Sequence, residues 1–421
     1  MATYDTGDRM RIGDMEAKEL AGKYDTPLYV INEETIKRNY RSLNENLGRN
    51  YKKIRIHYAM KANTNLNILR ILQNEGSYFD AVSTGEVESA LEAGIKPERI
   101  LFTGTSVRTD EMKMLKEKGI RINFDSIEQF ERYGKNFGVL DFASFRINID
   151  FGAGHHSHCI TSGKEVKFGI HDYKKAYEMA RKAGVRNFGI HAHIGSGILD
   201  HKILVTAAQK LLDIAGELGK KSKIEFEFID FGGGIGVPYK PEDAPFDVEK
   251  YSKEIIDLFR EKCKKHDLNE PFFCIEPGRY ICANSSFLLT RVNTIKKTPH
   301  KTFAGVDGGF NLLVRPAMYG SYHHIVVDGK ENKKASKIYT VAGPLCESGD
   351  VFARDRKLPE LEEGDLLIIM DAGAYGFSMS SQYNSRPRCA EVLVNGKKHE
   401  VVREKESSKD LIRGQKIATW L

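Results

Sequence analysis

Two rhythms of apolar residues alternate along the first two thirds of the chain. In one, every second position is apolar, as with Ile54, Ile56 and Tyr58 around Arg55 and His57, the mark of a strand. In the other, apolar residues return at roughly helical spacing, as with Leu66, Leu69, Ile71 and Leu72. The first rhythm predicts strands over 54–60, 78–82, 99–104, 121–125, 142–148, 187–194, 226–233 and 272–278. The second predicts helices over 65–75, 84–93, 109–118, 126–136, 172–183, 200–218 and 247–265. Strands that all return to the same end through helical crossovers must pair in parallel. Eight such units, evenly spaced, favour a closed (β/α)8 barrel of the TIM type over an open doubly wound sheet.

After about residue 284 the texture changes. Short strand-like runs follow one another: Phe287 to Val292, Thr302 to Val306, His324 to Val327, Ile338 to Val341, Leu366 to Met370, Ala390 to Val394 and His399 to Arg403. Turns such as Val327-Asp328-Gly329-Lys330 and Val394-Asn395-Gly396-Lys397 punctuate them. Helical spacing is scarce, which predicts an antiparallel β-sandwich or barrel domain. Pro27 to Ile31 is a further strand candidate expected to join it. The chain then divides into a barrel over 33–283 and a discontinuous β domain made of 1–32 and 284–421.

Composition narrows the function classes. The 421 residues are 41% hydrophobic and 29% charged with a net charge of +6, ordinary for a soluble globular protein with a large core. No dense basic run suggests nucleic acid, and no apolar run approaches the ~20 residues of a membrane span. Met1 to Arg11 lacks an apolar signal core, so a cytoplasmic protein is expected. The six cysteines are scattered without metal-type pairing and suit reduced thiols, and no metal site is predicted.

The chemistry collects at the carboxyl ends of barrel strands, the functional face of this architecture. Lys61 follows the first barrel strand. A desolvated lysine has a lowered pKa and can form a Schiff base with an aldehyde, although most strand-end lysines simply reach water. Strand six ends in His191-Ala192-His193-Ile194-Gly195-Ser196-Gly197, strand seven in Asp230-Phe231-Gly232-Gly233-Gly234, and strand eight in Glu276-Pro277-Gly278-Arg279. The triple glycine can bring backbone N–H groups onto a phosphate, or be only a tight turn. Ser196 and Arg279 can add a hydroxyl and a guanidinium to the same anion; their plainer roles are a helix N-cap and a surface ion pair. A buried Glu276 needs a partner, which a protonated pyridine nitrogen supplies, and the flat ring of His193 can stack on a planar cofactor. An amine for an aldehyde, a phosphate cradle, a stacking ring and an acid for a ring nitrogen together describe a pyridoxal phosphate site.

On these motifs the chain resembles the fold-type III pyridoxal-phosphate decarboxylases, and within them the diaminopimelate decarboxylase group, from about residue 20 onward. The resemblance rests on Tyr58-Ala59-Met60-Lys61-Ala62-Asn63, Gly152-Ala153-Gly154-His155-His156, Lys167-Phe168-Gly169, the three strand ends, Arg315-Pro316-Ala317-Met318-Tyr319, Cys346-Glu347-Ser348-Gly349-Asp350 and Gly373-Ala374-Tyr375. It implies an alanine racemase-like fold and pyridoxal 5'-phosphate on Lys61. His193 would stack on the ring, and Glu276 would meet its nitrogen. Ser196, Gly232, Gly233, Gly234, Gly278, Arg279 and Tyr375 would surround the phosphate. Arg279, Arg315, Tyr319 and Tyr375 would bind substrate, with the distal carboxylate held by the first three. Glu347 would take the distal ammonium and Cys346 would return a proton. In such enzymes Cys346 and Glu347 come from the partner subunit of a homodimer. The substrate that satisfies all these groups is meso-2,6-diaminopimelate, decarboxylated to L-lysine and CO2 in the last step of lysine biosynthesis. Gly197 departs from the glutamine common in that group and matches ornithine-type relatives. A decarboxylase of ornithine, lysine or arginine type therefore stands as the alternative. Behind it stand a non-catalytic cofactor carrier, against which the β domain with Cys346 and Glu347 argues, and a racemase, which would need a base on each cofactor face, whereas a cysteine-glutamate pair fits one-way protonation better.

Overall fold

The computed structural model describes residues 9–421, so the first eight residues of the expected β domain lie outside the described residues. The chain forms two compact units. One takes Ile36–Pro238 and Ala244–Ile281; the other takes the chain up to Thr35, Tyr239–Asp243 and Cys282–Leu421.

In chain order the first elements are β1 (Arg11–Ile12), β2 (Met15–Glu16), α1 (Ala17–Tyr24), β3 (Leu28–Asn32) and α2 (Glu33–Asn50). Eight strands follow: β4 (Ile54–Ala59), β5 (Tyr78–Ala81), β6 (Ile100–Phe102), β7 (Arg121–Phe124), β8 (Phe142–Arg146), β9 (Asn187–His191), β10 (Phe226–Asp230) and β11 (Phe272–Ile275). They close into a barrel in the order β10-β11-β4-β5-β6-β7-β8-β9, every pair parallel. Between them lie α3 (Leu66–Asn74), α4 (Thr84–Glu92), α5 (Thr109–Glu117), α6 (Ile127–Phe137), α7 (Tyr173–Lys182), α8 (His201–Ser222) and α9 (Val248–His266). All eight strands and seven helices read from the sequence are present, and their ends differ from the reading by a few residues.

The loops that carry the chemistry are fixed by caps. Asn65, Ser83, Ser126, Asp172, Asp200 and Asp247 each accept a backbone N–H of the helix that follows. Such caps satisfy donors that the first turn leaves open and typically contribute about 1 kcal/mol. They also set where each strand end gives way to helix.

The second unit continues with α10 (Arg279–Cys282), whose last residue belongs to it, then β12 (Ser286–Lys297), β13 (Thr302–Val306), α11 (Arg315–Tyr319), β14 (Ile325–Val327), β15 (Lys337–Ala342), β16 (Val351–Leu358), β17 (Leu366–Ile369), β18 (Ala390–Asn395) and β19 (Lys398–Arg403). The sheet runs β16-β15-β13-β12-β3-β18-β19, with β17 paired to β12 and β14. Most pairings are antiparallel, but β13–β15 and β18–β3 are parallel. Strand alternation feeds two apolar clusters. Leu28, Val30, Phe287, Leu289 and Ile368 enter one; Tyr29, Leu288, Leu367 and Ile369 enter the other. The candidate strand at Pro27 to Ile31 is β3, seated between β12 and β18. Strand β16 and helices α1 and α2 were not predicted. No helix among the described residues is long and apolar enough to cross a membrane.

Candidate active site

The carboxyl ends of the barrel strands enclose a cavity of about 320 Å³, lined among others by Lys61, Arg146, His191, His193 and Glu276. That lies within the range of small-ligand sites. A larger depression of about 810 Å³, around Tyr51, Phe259 and Leu268, lies where strand N-termini emerge. It holds none of the predicted chemistry, and converging titratable groups identify a site better than size does.

Lys61 sits in a single 3-10 turn, Met60–Ala62, directly after β4. Its Nζ lies 2.5 Å from Asp80 Oδ2 at the end of β5, and Thr103 Oγ1 donates to the other oxygen. Burial, and then the charge of Glu276, push the Asp80 carboxyl up, while Lys61 opposes them. The lysine is therefore steered by a specific acid rather than left to reach water.

His193 Nδ1 accepts the Gly233 N–H at 3.0 Å, which leaves any proton of the neutral ring on Nε2. Burial, and then the positive charges of Arg146 and Lys61, depress its pKa strongly, so the ring is neutral near pH 7. In the glycine run, Gly232 and Gly234 have φ of +67° and +112°. A Cβ on Gly233 would come within 2.2 Å of the Glu276 carbonyl oxygen. Only glycine lets this backbone lie so close. Gly278 plays a related part, since a Cβ there would press on Ala59 and Ala62 at either side of Lys61.

Arg279 is buried and gives Nε and Nη2 to Ser196 Oγ at 3.2 and 3.1 Å. It is not the surface ion pair of the plainer reading. Ser196 is not a helix N-cap either, because Asp200 caps α8. Glu276 Oε2 receives His191 Nε2 at 3.2 Å, whereas Oε1 is buried and has no hydrogen-bond partner among the described residues. Burial raises the Glu276 pKa, but the His191 hydrogen bond and the charge of Lys61 act against it, and the carboxyl lies well below its ordinary value. The nearby Asp230 moves the other way: burial and then the charge of Glu276 raise it strongly. Two neighbouring carboxyls are thus separated into one ionised and one neutral group.

These features fit pyridoxal phosphate. An unsatisfied buried carboxylate oxygen is costly without a donor, and a ring N–H is such a donor. The glycine run with Ser196 and Arg279 suits its phosphate, and Lys61 suits its aldehyde.

Sequence reasoning missed Asp80, Thr103, Asn123, Arg146 and the hydrogen bond of His191. An acid at a barrel strand end was available as a signal for Asp80. For Asn123 and His191 nothing short of the register reveals the contact.

The remaining predicted residues belong to the β unit. Arg315 opens α11 and is 1% exposed, contrary to a surface arginine in a turn. Its Nη1 donates to His323 Nε2 at 2.9 Å, Nη2 donates to Ser321 Oγ at 3.3 Å, and the guanidinium lies 4.4 Å from the Tyr239 ring centroid. Tyr319 is half-buried at the end of α11. Cys346 and Glu347 are exposed on a loop, with the Cys346 N–H donated to Asn384 Oδ1 at 2.6 Å. Tyr375 is half-buried with φ of +57°.

Comparison with known proteins places this geometry. Residues 33–283 match the family model "Pyridoxal-dependent decarboxylase, pyridoxal binding domain". The diaminopimelate decarboxylase of Methanothermobacter thermautotrophicus is 53% identical over 97% of this chain and 96% of its own length. That of Archaeoglobus fulgidus is 42% identical over 98% of each. The crystal structure of the Methanocaldococcus jannaschii enzyme in complex with L-lysine is 36% identical, covers 99% of this chain and 98% of its own, and superposes with a TM-score of 0.91. With a (β/α)8 barrel, a family model over residues 33–283 and relatives of this identity over nearly the whole length, the chain belongs to the pyridoxal-dependent decarboxylase family, in its diaminopimelate decarboxylase group.

Proposed function

We propose that the protein decarboxylates meso-2,6-diaminopimelate to L-lysine and CO2 using pyridoxal 5'-phosphate. The observation that carries this reading is the buried, unpartnered Glu276 Oε1 on the same cavity as the Asp80-held Lys61. Lys61 would hold the cofactor covalently, His193 would lie against its ring, and Glu276 would bind its ring nitrogen. Ser196, Gly232 to Gly234, Gly278, Arg279 and Tyr375 would surround its phosphate. When bound, the cofactor supplies a sink for the electron pair left as CO2 departs.

The chain's own residues set the conditions for that step. Glu276 stays ionised and keeps a proton on the ring nitrogen, which a neutral acid could not do. His193 is neutral, so its ring can lie beside a positive charge without repelling it. Arg279, Arg315 and Tyr319 hold the distal carboxylate, which suits the planar fork of arginine. Glu347 holds the distal ammonium, and Cys346 Sγ delivers the proton that replaces CO2. In this reading residues 33–283 form the cofactor domain, and 1–32 with 284–421 form the β domain of a cytoplasmic homodimer. Cys346 and Glu347 would then serve the partner subunit's barrel. Their exposure within one chain supports that arrangement.

The test is product analysis with purified protein, pyridoxal phosphate and meso-diaminopimelate. L-lysine and CO2 should appear in equal amounts, and borohydride should fix the cofactor on the peptide containing Lys61. Faster CO2 release from ornithine would move the assignment to that alternative. Cofactor binding without CO2 from any basic amino acid would leave a non-catalytic carrier.

A further inference from the structure

Three buried side chains behind Glu276 form a directed chain of hydrogen bonds. Ser144 on β8 donates its hydroxyl to Asn123 Oδ1 on β7 at 2.6 Å, and these two residues are register partners. Asn123 Nδ2 then meets His191 Nδ1 on β9 at 3.2 Å, and His191 Nε2 meets Glu276 Oε2 at 3.2 Å. An amide nitrogen only donates, so His191 Nδ1 must accept. The imidazole proton is then on Nε2, pointing at Glu276. Ser144, Asn123 and His191 are at most 1% exposed, so water does not readily substitute for any link.

We propose that Ser144 and Asn123 fix His191 as the neutral Nε2–H tautomer, and that His191 thereby holds Glu276 ionised with Oε1 directed to the cofactor ring. His191 is a positioning residue, acting through Glu276. The inference deepens the reading above and rests on Glu276 meeting the ring nitrogen. If the Asn123 amide were turned over, the pattern would invert. Oδ1 would accept from Nδ1–H, Nε2 would present a lone pair to Glu276, and Glu276 would need a proton to bond to it. A protonated Glu276 could not hold a proton on the ring nitrogen. The neutral Asp230 beside the pair leaves Glu276 as the charged member of the His191, Asp230 and Glu276 cluster.

The experiment is nitrogen NMR of the full-length holoenzyme with 15N-labelled histidine, where tautomers are told apart by their ring-nitrogen shifts. His191→Gln removes one signal and assigns it. In the wild type that signal should be the neutral Nε2–H tautomer, as the bonds from Asn123 and to Glu276 require. Asn123→Asp presents an acceptor to Nδ1, and His191 should become doubly protonated, with a changed pH titration of the cofactor absorbance. His191→Leu should lower kcat by roughly tenfold to a hundredfold, as for loss of a hydrogen bond to a charged group. His191→Gln, which keeps a donor near Nε2, should recover most of that loss. An Nδ1–H tautomer in the wild type overturns the proposal, as does an Asn123→Asp holoenzyme with His191 and the cofactor spectrum unchanged. Should His191→Leu fail to fold, those two measurements still decide. Glu276→Gln separates the underlying reading: unchanged kcat there would remove Glu276 from the ring nitrogen, whatever the tautomer of His191.

Discussion

In the proposed reading, substrate choice turns on Arg315. His323 Nδ1 lies 2.8 Å from the Met370 carbonyl, so that nitrogen donates and Nε2 accepts from Arg315. A neutral histidine, a serine and a tyrosine face thus help to orient the guanidinium. Such an arrangement suits an incoming carboxylate. Arg315→Ala should raise the KM for diaminopimelate about a hundredfold, as for a lost charged hydrogen bond, while the cofactor absorbance persists. Normal KM would sink the assigned role. Gly197 bears on the same question from the other side. Its φ is +83°, and a Cβ there would lie 2.3 Å from His155 Nδ1, which itself is 2.9 Å from the Ser196 carbonyl. The backbone conformation and the nearness of His155 thus give the glycine a local reason that needs no ornithine substrate. Gly197→Gln should cost roughly 1–3 kcal/mol of stability through backbone strain and crowding, seen as a lower Tm. The diaminopimelate-to-ornithine ratio should not improve; a marked improvement would reinstate Gly197 as a substrate determinant.

At the scale of elements, the loop with Cys346 and Glu347 depends on Asp350. This buried carboxyl accepts the Phe310 N–H at 2.6 Å and the Leu345 N–H at 2.7 Å, one on either oxygen. Asp350→Ala would leave both donors unmet, so the Phe310 and Leu345 amides should exchange with deuterium faster while barrel amides do not. Equal protection in the variant would show that the loop is held by other means. Such clamps were invisible in the letters, and so was the chain from Ser144 to Glu276, because each joins residues that only the register brings together. The barrel elements were legible because each repeats one local rule, apolar alternation and then helical spacing behind a cap. Helix α2 was missed although Ile36, Tyr40, Leu43 and Leu47, all buried, carry that spacing; eleven other positions around them are charged or amide-bearing, and they mask it. Strand β16 was missed for a different reason. Its stretch Arg354-Asp355-Arg356-Lys357 reads as a solvated loop, yet it is a sheet edge, where charge guards against unwanted pairing. The two parallel pairings in the β unit were also out of reach, since pairing direction depends on topology and not on any one strand.

For the whole molecule, the interior of the barrel sets an acid limit. Burial, opposed by the charge of Glu276 and aided by that of Arg55, lowers the pKa of His57 from 6.5 to about 4. The folded state keeps this ring neutral while the unfolded chain protonates it first, so stability is full above pH 6.5 and declines as pH falls toward 4. The loss amounts to at most about 3 kcal/mol. Urea midpoints across that range should fall less steeply for His57→Asn than for wild type, and parallel slopes would exclude the effect. The largest inference about the molecule is that each active site draws on two chains. Lys61 belongs to one compact unit and Cys346 to the other, and a two-fold dimer would offer each contact twice. Lys61→Ala should be inactive without its cofactor link, and Cys346→Ala should be impaired in proton return. After random exchange of the two variants, half of the dimers would be mixed. Each mixed dimer would hold one site with both mutations and one site with neither. About one quarter of wild-type activity per site should therefore return. If mass analysis proves exchange and activity does not rise above that of the separate variants, Lys61 and Cys346 serve one site from one chain, and the shared site is wrong.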